Sequence, residues 1–193
     1  MKAPSIKSVF ATGLLLGCTA IAVPAQAQAA EKPGDHCVAN LSTGSNECFG
    51  TFRESIASAT NGQVTDAPHT ARAAVADRTL KTKLEGPQTA EASRAAAYVL
   101  SIEYQLSGYG GDSLVITAGT PCVRDGQRDF TVNDIRDINP WWNDRISSFD
   151  GYNTCDVNHY EHQVVNGGDT TGPRASMSSM GAMDNKTTGL TFG

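Results

Sequence analysis

Tyr160-Glu161-His162-Gln163-Val164-Val165-Asn166-Gly167-Gly168-Asp169-Thr170 has a counterpart earlier in the chain, Ile102-Glu103-Tyr104-Gln105-Leu106-Ser107-Gly108-Tyr109-Gly110-Gly111-Asp112-Ser113. With one residue inserted in the earlier copy, both run from a bulky apolar residue and a Glu to Gly-Gly-Asp-Ser/Thr. A second short match trails each copy. Asn143-Asp144-Arg145-Ile146-Ser147-Ser148 follows the first, and Asp184-Asn185-Lys186-Thr187-Thr188-Gly189 follows the second. Self-similarity of this kind marks two copies of one structural unit. One Asn-Asp pair alone is a turn signal. Two pairs, each behind a Glu…Gly-Gly element, point to a shared task.

The trailing motif has the composition of a calcium site. Calcium is a hard cation that takes six to eight oxygens at flexible angles. Adjacent Asn and Asp residues supply carboxylate or amide oxygens, the hydroxyl three positions on supplies another, and the turn between them exposes a backbone carbonyl. The paired glycines accept positive φ and allow the upstream hairpin to fold tightly. Neither segment has the Asp-x-Asp-x-Asp-Gly loop with a closing Glu that defines an EF-hand.

Around these motifs the texture is that of short strands. Candidate strands are 98–102, 113–117, 146–149, 157–160 and 189–192, separated by Gly and Asn clusters, which predicts an antiparallel β-sandwich or barrel. Residues 31–97 differ. The stretch 37–48 reads as a loop stapled by cysteines. Residues 49–60 predict a helix, with Phe49, Phe52, Ile56 and Ala59 on one stripe and Asn61-Gly62 as a left-handed stop. Residues 69–97, rich in Ala, Thr, Lys and Glu, read as a loose helix or a linker. The division expected is a signal peptide at 1–30, a helical and linker region at 31–97, and a β domain at 98–193.

An aromatic residue, six residues and a Gly, followed by Asn/Asp-Asn/Asp-x-x-Ser/Thr-Ser, resembles the paired signature of the βγ-crystallin Greek-key domain. Tyr160 to Gly167 carries the first part and Asn143 to Ser148 the second. Trp142 and Phe149 beside the motif resemble bacterial members, and Glu47-Cys48-Phe49 through Asp66-Ala67-Pro68 is similar to the leader region of secreted actinobacterial ones. The resemblance implies a mainly β, two-motif sandwich preceded by a helical, disulfide-stapled segment. It implies two calcium ions, each held by oxygens from both motifs. Carried over by position, the hydroxyls of Ser147 and Thr188 and the carbonyls of Arg145 and Lys186 are ligands. Asp144 and Asn185 each reach to the other site. Glu103 and Glu161 contribute from the hairpins through backbone carbonyls, and Ser148 braces its hairpin. Gly189 stands where the family has Ser, so one hairpin brace is missing; Asn185 is neutral where Asp binds better, so one site, expected to be the second, is the weaker; and Ile102 stands for the aromatic of the first motif, unless Tyr104 fills that place from a shifted register.

Residues 1–30 read as a secretory signal: Lys2 and Lys7, an apolar run, then small residues suited to cleavage near 27–30. The run Leu15-Leu16-Gly17-Cys18 allows a lipoprotein reading, which the later Ala-x-Ala sites disfavour. Removing the leader takes two positive charges and no negative one from a chain of 15 basic and 20 acidic residues. Such a surface repels nucleic acid and anionic membranes, so the expected product is a secreted monomer with no membrane or nucleic-acid partner. Cys37, Cys48, Cys122 and Cys155 remain, an even number in an exported chain, which predicts two disulfides. Of the three possible pairings, Cys37–Cys48 with Cys122–Cys155 keeps each bridge within one region. The Cys-x-x-Cys spacing of a zinc site is absent.

No enzyme is expected. Glu103 and Glu161 could be paired catalytic carboxylates, but repeat-equivalent positions argue for one role at each of two sites. His159 and His162 face opposite sides of a strand, and no Gly-x-Ser-x-Gly elbow occurs. Trp141 and Trp142 fit core packing beside the turn better than a stacking platform, and Met177, Met180 and Met183 fit a short turn on the sandwich. The alternative to calcium binding is a secreted protease inhibitor or protein-binding module, with the insert 120–139 as its contact loop and an unidentified protein as its partner.

Overall fold

The computed structural model describes residues 36–85 and 97–193. The expected leader, its cleavage region and residues 86–96 lie outside the described residues. Within the described residues no helix is long and apolar enough to cross a membrane.

The first departure from expectation is at the N-terminal cysteines. Residues 36–49 form an antiparallel hairpin of β1 (His36–Asn40) and β2 (Ser45–Phe49), rather than a stapled loop. The side chain of Asn40 accepts hydrogen bonds from the N–H groups of Ser42 and Thr43, at 2.9 and 3.1 Å. That side-chain turn adds to the backbone bond from the Gly44 N–H to the Asn40 carbonyl, at 2.8 Å, in closing the tip, and the hairpin brings Cys37 opposite Cys48, which are joined by a disulfide.

Helix α1 (Phe52–Ala59) starts three residues later than the apolar stripe alone indicates, because β2 takes Phe49. Thr51 fixes its start through a reciprocal capping box with Glu54, an arrangement worth about 1 kcal/mol. Asn61 and Gly62, at φ of 50° and 79°, end it. Two short helices follow, α2 (Ala71–Val75) and α3 (Arg78–Glu85), where the sequence left helix or linker open.

The remaining strands are β3 (Tyr98–Leu106), β4 (Gly110–Ala118), β5 (Phe130–Val132), β6 (Ser148–Gly151), β7 (Val157–Tyr160), β8 (Ser176–Met177) and β9 (Gly189–Phe192). They build two sheets, a six-stranded one in the order β2-β1-β4-β3-β6-β8 and a three-stranded one in the order β5-β9-β7. All pairings are antiparallel except β1 with β4. The molecule is mainly β. The described residues form one compact unit, and β1 carries the six-stranded sheet back across residue 98.

Two apolar clusters use the two faces of the larger sheet. One, with Leu100, Leu114, Ile116, Trp142, Ile146, Phe149, Val157, Leu190 and Phe192, joins it to the three-stranded sheet. The other, with Val38, Ile102, Tyr104 and Val115, receives Phe52, Ile56, Leu80 and Leu84 from the helices. With both faces covered, β3 and β4 are buried along most of their length, the polar Ser101, Glu103, Ser113 and Thr117 included. Of the tryptophans, Trp142 is buried in the core and Trp141 is exposed; Met180 and Met183 are buried beside the short turn Gly181–Met183. The second disulfide, Cys122–Cys155, is buried at the edge of the first cluster.

Candidate metal centre

The two Asn/Asp turns meet. The N–H of Asp144 donates to the carbonyl of Thr187 at 3.0 Å, and the N–H of Asn185 donates to the carbonyl of Ile146, also at 3.0 Å. Asp144 corresponds to Asn185 and Ile146 to Thr187, so the clasp is reciprocal. Asp144 and Asn185 share a left-handed conformation at φ of 56° and 55°, one that Asn and Asp adopt more readily than other L-residues. The hydroxyl of Ser147 donates across the clasp to Oδ1 of Asn185 at 3.4 Å.

Each turn is tied to its own hairpin. The N–H of Ser147 donates to the carbonyl of Tyr104 at 3.0 Å, and that of Thr188 to the carbonyl of Tyr160 at 2.8 Å. These twin bonds fix the true register of the repeat: Tyr104 is the partner of Tyr160, and Gly111 of Gly167, with φ of 74° and 71°. Each hairpin then spans an aromatic residue, six residues and a glycine, without the insertion that the Gly-Gly-Asp alignment requires. Tyr104 occupies the aromatic position, so Ile102 is not its stand-in. Its ring meets that of Tyr109 edge-on at 5.5 Å.

This register removes Glu103 from the site. The residue equivalent to Glu161 is Gln105, and Glu103 is equivalent to His159. Glu103 is fully buried in β3, paired through its backbone register with Leu114 and Phe149. Its Oε2 is 2.9 Å from Nε2 of His159, and its Oε1 accepts the Ser101 hydroxyl at 2.5 Å. The two pseudo-equivalent residues thus bond to each other between the sheets. A buried carboxylate needs such partners, and these hold Glu103 in the core. Glu103 and Glu161 therefore do not hold equivalent positions, which corrects the expectation of one role at two sites.

The other expected residues lie on the clasp or its hairpins. Glu161 is half-buried, with its carboxylate 3.4 Å from Nζ of Lys186. The guanidinium of Arg145 stacks over Trp141 at 4.6 Å, which points that side chain away from metal chemistry and leaves its carbonyl as the relevant atom. The amide of Asn143 donates to Asp144 Oδ2 at 2.6 Å, while its Oδ1 is buried with no hydrogen-bond partner. The donor role of Nδ2 toward a carboxylate settles the amide orientation. Among the described residues no group of three or more His, Cys, Asp and Glu could hold a metal. The oxygens gathered at the clasp are instead hydroxyl, amide, carbonyl and single carboxylate groups, a donor set that fits a hard cation and not a soft one.

The two halves are braced differently. In the first, the hydroxyl of Ser148 donates to the carbonyl of Leu106 at 2.7 Å and accepts from the N–H of Tyr109 at 3.0 Å. In the second, Gly189 leaves no room for such a side chain. A Cβ there would lie 2.8 Å from Val164 Cγ2, 2.9 Å from Val164 N and 3.0 Å from the His162 carbonyl. Residues 133–135 cover this half instead. Asn133 accepts from Val164 N–H through its carbonyl and from Val165 N–H through Oδ1, both at 3.2 Å. Asp134 accepts from the Gln163 amide at 2.9 Å, and Ile135 N–H donates to the Thr188 carbonyl at 2.7 Å. The Asp134 carboxyl is held well below the usual carboxylate range, chiefly by hydrogen bonds from Arg136, with burial opposing and Gln163 adding to the effect.

Gln105 is legible in principle, since Tyr104-x4-Tyr109-x-Gly111 has the same eight-residue span as Tyr160 to Gly167. Asn133 carries no sequence signal, because its partners lie about thirty residues away and only the fold brings them together.

Among solved structures, the chain is similar to the N-terminal domain of Protein S, at 14% identity, over 48% of this chain and 93% of that chain, with a TM-score of 0.37. No family model and no curated protein matches it. The functional reading rests on the clasp itself.

Proposed function

We propose that the protein is an exported calcium-binding domain of the βγ-crystallin Greek-key type, and that calcium at the clasp stabilises its fold. The observation that carries this is the reciprocal pairing of the two turns, which brings Ser147 within 3.4 Å of Asn185 and each turn onto its own hairpin. One site would draw on the carbonyls of Gln105 and Arg145, the hydroxyl of Ser147 and the side chain of Asn185. The other would draw on the carbonyls of Glu161 and Lys186, the hydroxyl of Thr188 and the side chain of Asp144. A bound calcium supplies charge that oxygens of these types satisfy, and it cross-links the two motifs. The chain's own part is to hold both turns in the left-handed conformation and to fasten each turn to its hairpin through the Tyr104 and Tyr160 carbonyls.

A ligand that binds only the folded state adds stability by mass action, about 2.7 kcal/mol at a hundredfold excess over Kd. Extracellular calcium is abundant, so moderate affinity suffices for an exported protein. The two disulfides support export, and monomeric secretion without a membrane or nucleic-acid partner remains the expectation.

Calorimetric calcium titration tests the reading, run beside Asp144→Ala and Ser147→Ala. The expected result is two unequal sites, with Asp144→Ala weakening the Thr188 site and Ser147→Ala its own. Heat-free titrations with an unchanged melting temperature after chelation would remove the metal and leave only the architecture.

A further inference from the structure

We propose that Asn133 is the positioning residue of the second calcium site, replacing in space the serine that Gly189 lacks. This rests on the calcium reading above. The register derived from the turn-to-hairpin bonds places Val165 where the first hairpin has Tyr109. The N–H of Tyr109 donates to the Ser148 hydroxyl, at 3.0 Å. The N–H of Val165 donates to Asn133 Oδ1, at 3.2 Å. The same amide of each hairpin is therefore held by a side-chain oxygen, from the adjacent turn in one half and from a segment outside the repeat in the other.

The substitution is enforced sterically. A serine at 189 would drive its Cβ against Val164 and the His162 carbonyl, so the second hairpin lies closer to its turn than the first does. With the inside position closed, the brace comes from outside. Asn133 does not act alone there. Asp134 holds Gln163, and Ile135 N–H holds the Thr188 carbonyl, so one short strap fastens both pieces of the second site, the hairpin with Glu161 and the turn with Thr188. The strap belongs to the insert that the Cys122–Cys155 disulfide ties down, directly after β5. The missing serine is therefore no reason for the second site to be the weaker one. Asp144 serves that site, whereas neutral Asn185 serves the first.

The test uses Asn133→Ala, which removes the acceptor, and Asn133→Asp, which keeps an oxygen at the same place. Calcium is titrated into isotopically labelled protein, with Ser147 reporting the first site and Thr188 the second. Asn133→Ala is expected to weaken the second site roughly three- to tenfold, the effect of one lost neutral hydrogen bond, and to leave the first site within error. Asn133→Asp is expected to restore the second site. Protection of the Val165 amide against exchange in calcium-free protein should fall in the Ala variant and return in the Asp variant. Equal weakening of both sites by Asn133→Ala, or an unchanged second site, overturns the proposal while the parent isotherm upholds calcium binding. A parent protein that binds no calcium overturns both. If the Ala variant fails to fold, Asn133→Ser decides: its shorter side chain should leave Val165 unprotected and the second site weakened, and an unaltered second site refutes the assignment.

Discussion

Gly189→Ser restores the family pattern at the end of the second motif, and the motif alone predicts that it strengthens the site. The structure predicts the opposite. Real Cβ atoms essentially never approach within 3.0 Å of a nonbonded atom, and here two would, Val164 Cγ2 at 2.8 Å and Val164 N at 2.9 Å. The methyl of Val164 can turn aside, but the backbone nitrogen cannot move without lifting the hairpin from Asn133. Overpacking of this kind costs about 1–3 kcal/mol. For a chain of this size each kcal/mol lowers the melting temperature by roughly 2–4 °C, so a fall of several degrees is expected in chelator, where calcium plays no part. The second calcium site should weaken in parallel, because the displaced hairpin carries the Glu161 carbonyl. Thermal unfolding followed by circular dichroism in chelator, with a calcium titration beside it, decides between the two. A variant as stable as the parent with a tighter second site would refute the close-packing argument and return Gly189 to the status of a missing brace.

Three further outcomes follow from groups outside the clasp. Replacing His159 with Leu strands the Glu103 carboxylate between the sheets and should cost about 3–5 kcal/mol in urea unfolding, whereas the double change Glu103→Leu with His159→Leu should recover a large part of it. The Asp134 carboxyl is depressed in the folded state, so its contribution is present above the unfolded value near 4 and is lost as pH falls below it; an Asp134→Asn variant should show a flatter acid limb than the parent in pH-dependent unfolding. Burial raises the Asp150 carboxyl, and Lys81, 3.6 Å away, only partly offsets this. Its ionised form is therefore disfavoured by folding, stability declines as pH rises from the unfolded value through the raised one, and Asp150→Asn should match or exceed the parent at neutral pH.

The sequence showed more of the site than of the surrounding fold. The Asn/Asp turns announced themselves by repetition, and β7 and β9 by their apolar content, because a repeat preserves local chemistry wherever it lies. The sequence leaves the register of the first hairpin open, because two glycines follow one another at 110 and 111 and aligning both with Gly167-Gly168 shifts Tyr104 out of the aromatic position; the turn-to-hairpin bonds decide for Tyr104. Glu103 looked like a ligand because it follows a bulky residue as Glu161 does; its true partner, His159, is set by the meeting of two sheets. The hairpin at 36–49 was hidden by its polar tip and by the parallel pairing of β1 with β4, a contact across more than seventy residues. Asn133 was invisible for the same reason, since nothing local marks an asparagine whose task is to hold an amide in another repeat.

The most direct measurement is a residue-resolved calcium titration of the protein by ¹⁵N NMR. The account predicts saturable shifts confined at first to Gln105, Arg145, Ser147, Glu161, Lys186 and Thr188 and their neighbours, in two groups with different midpoints. Shifts that spread evenly over the acidic surface, scale with ionic strength and spare those six amides would contradict it.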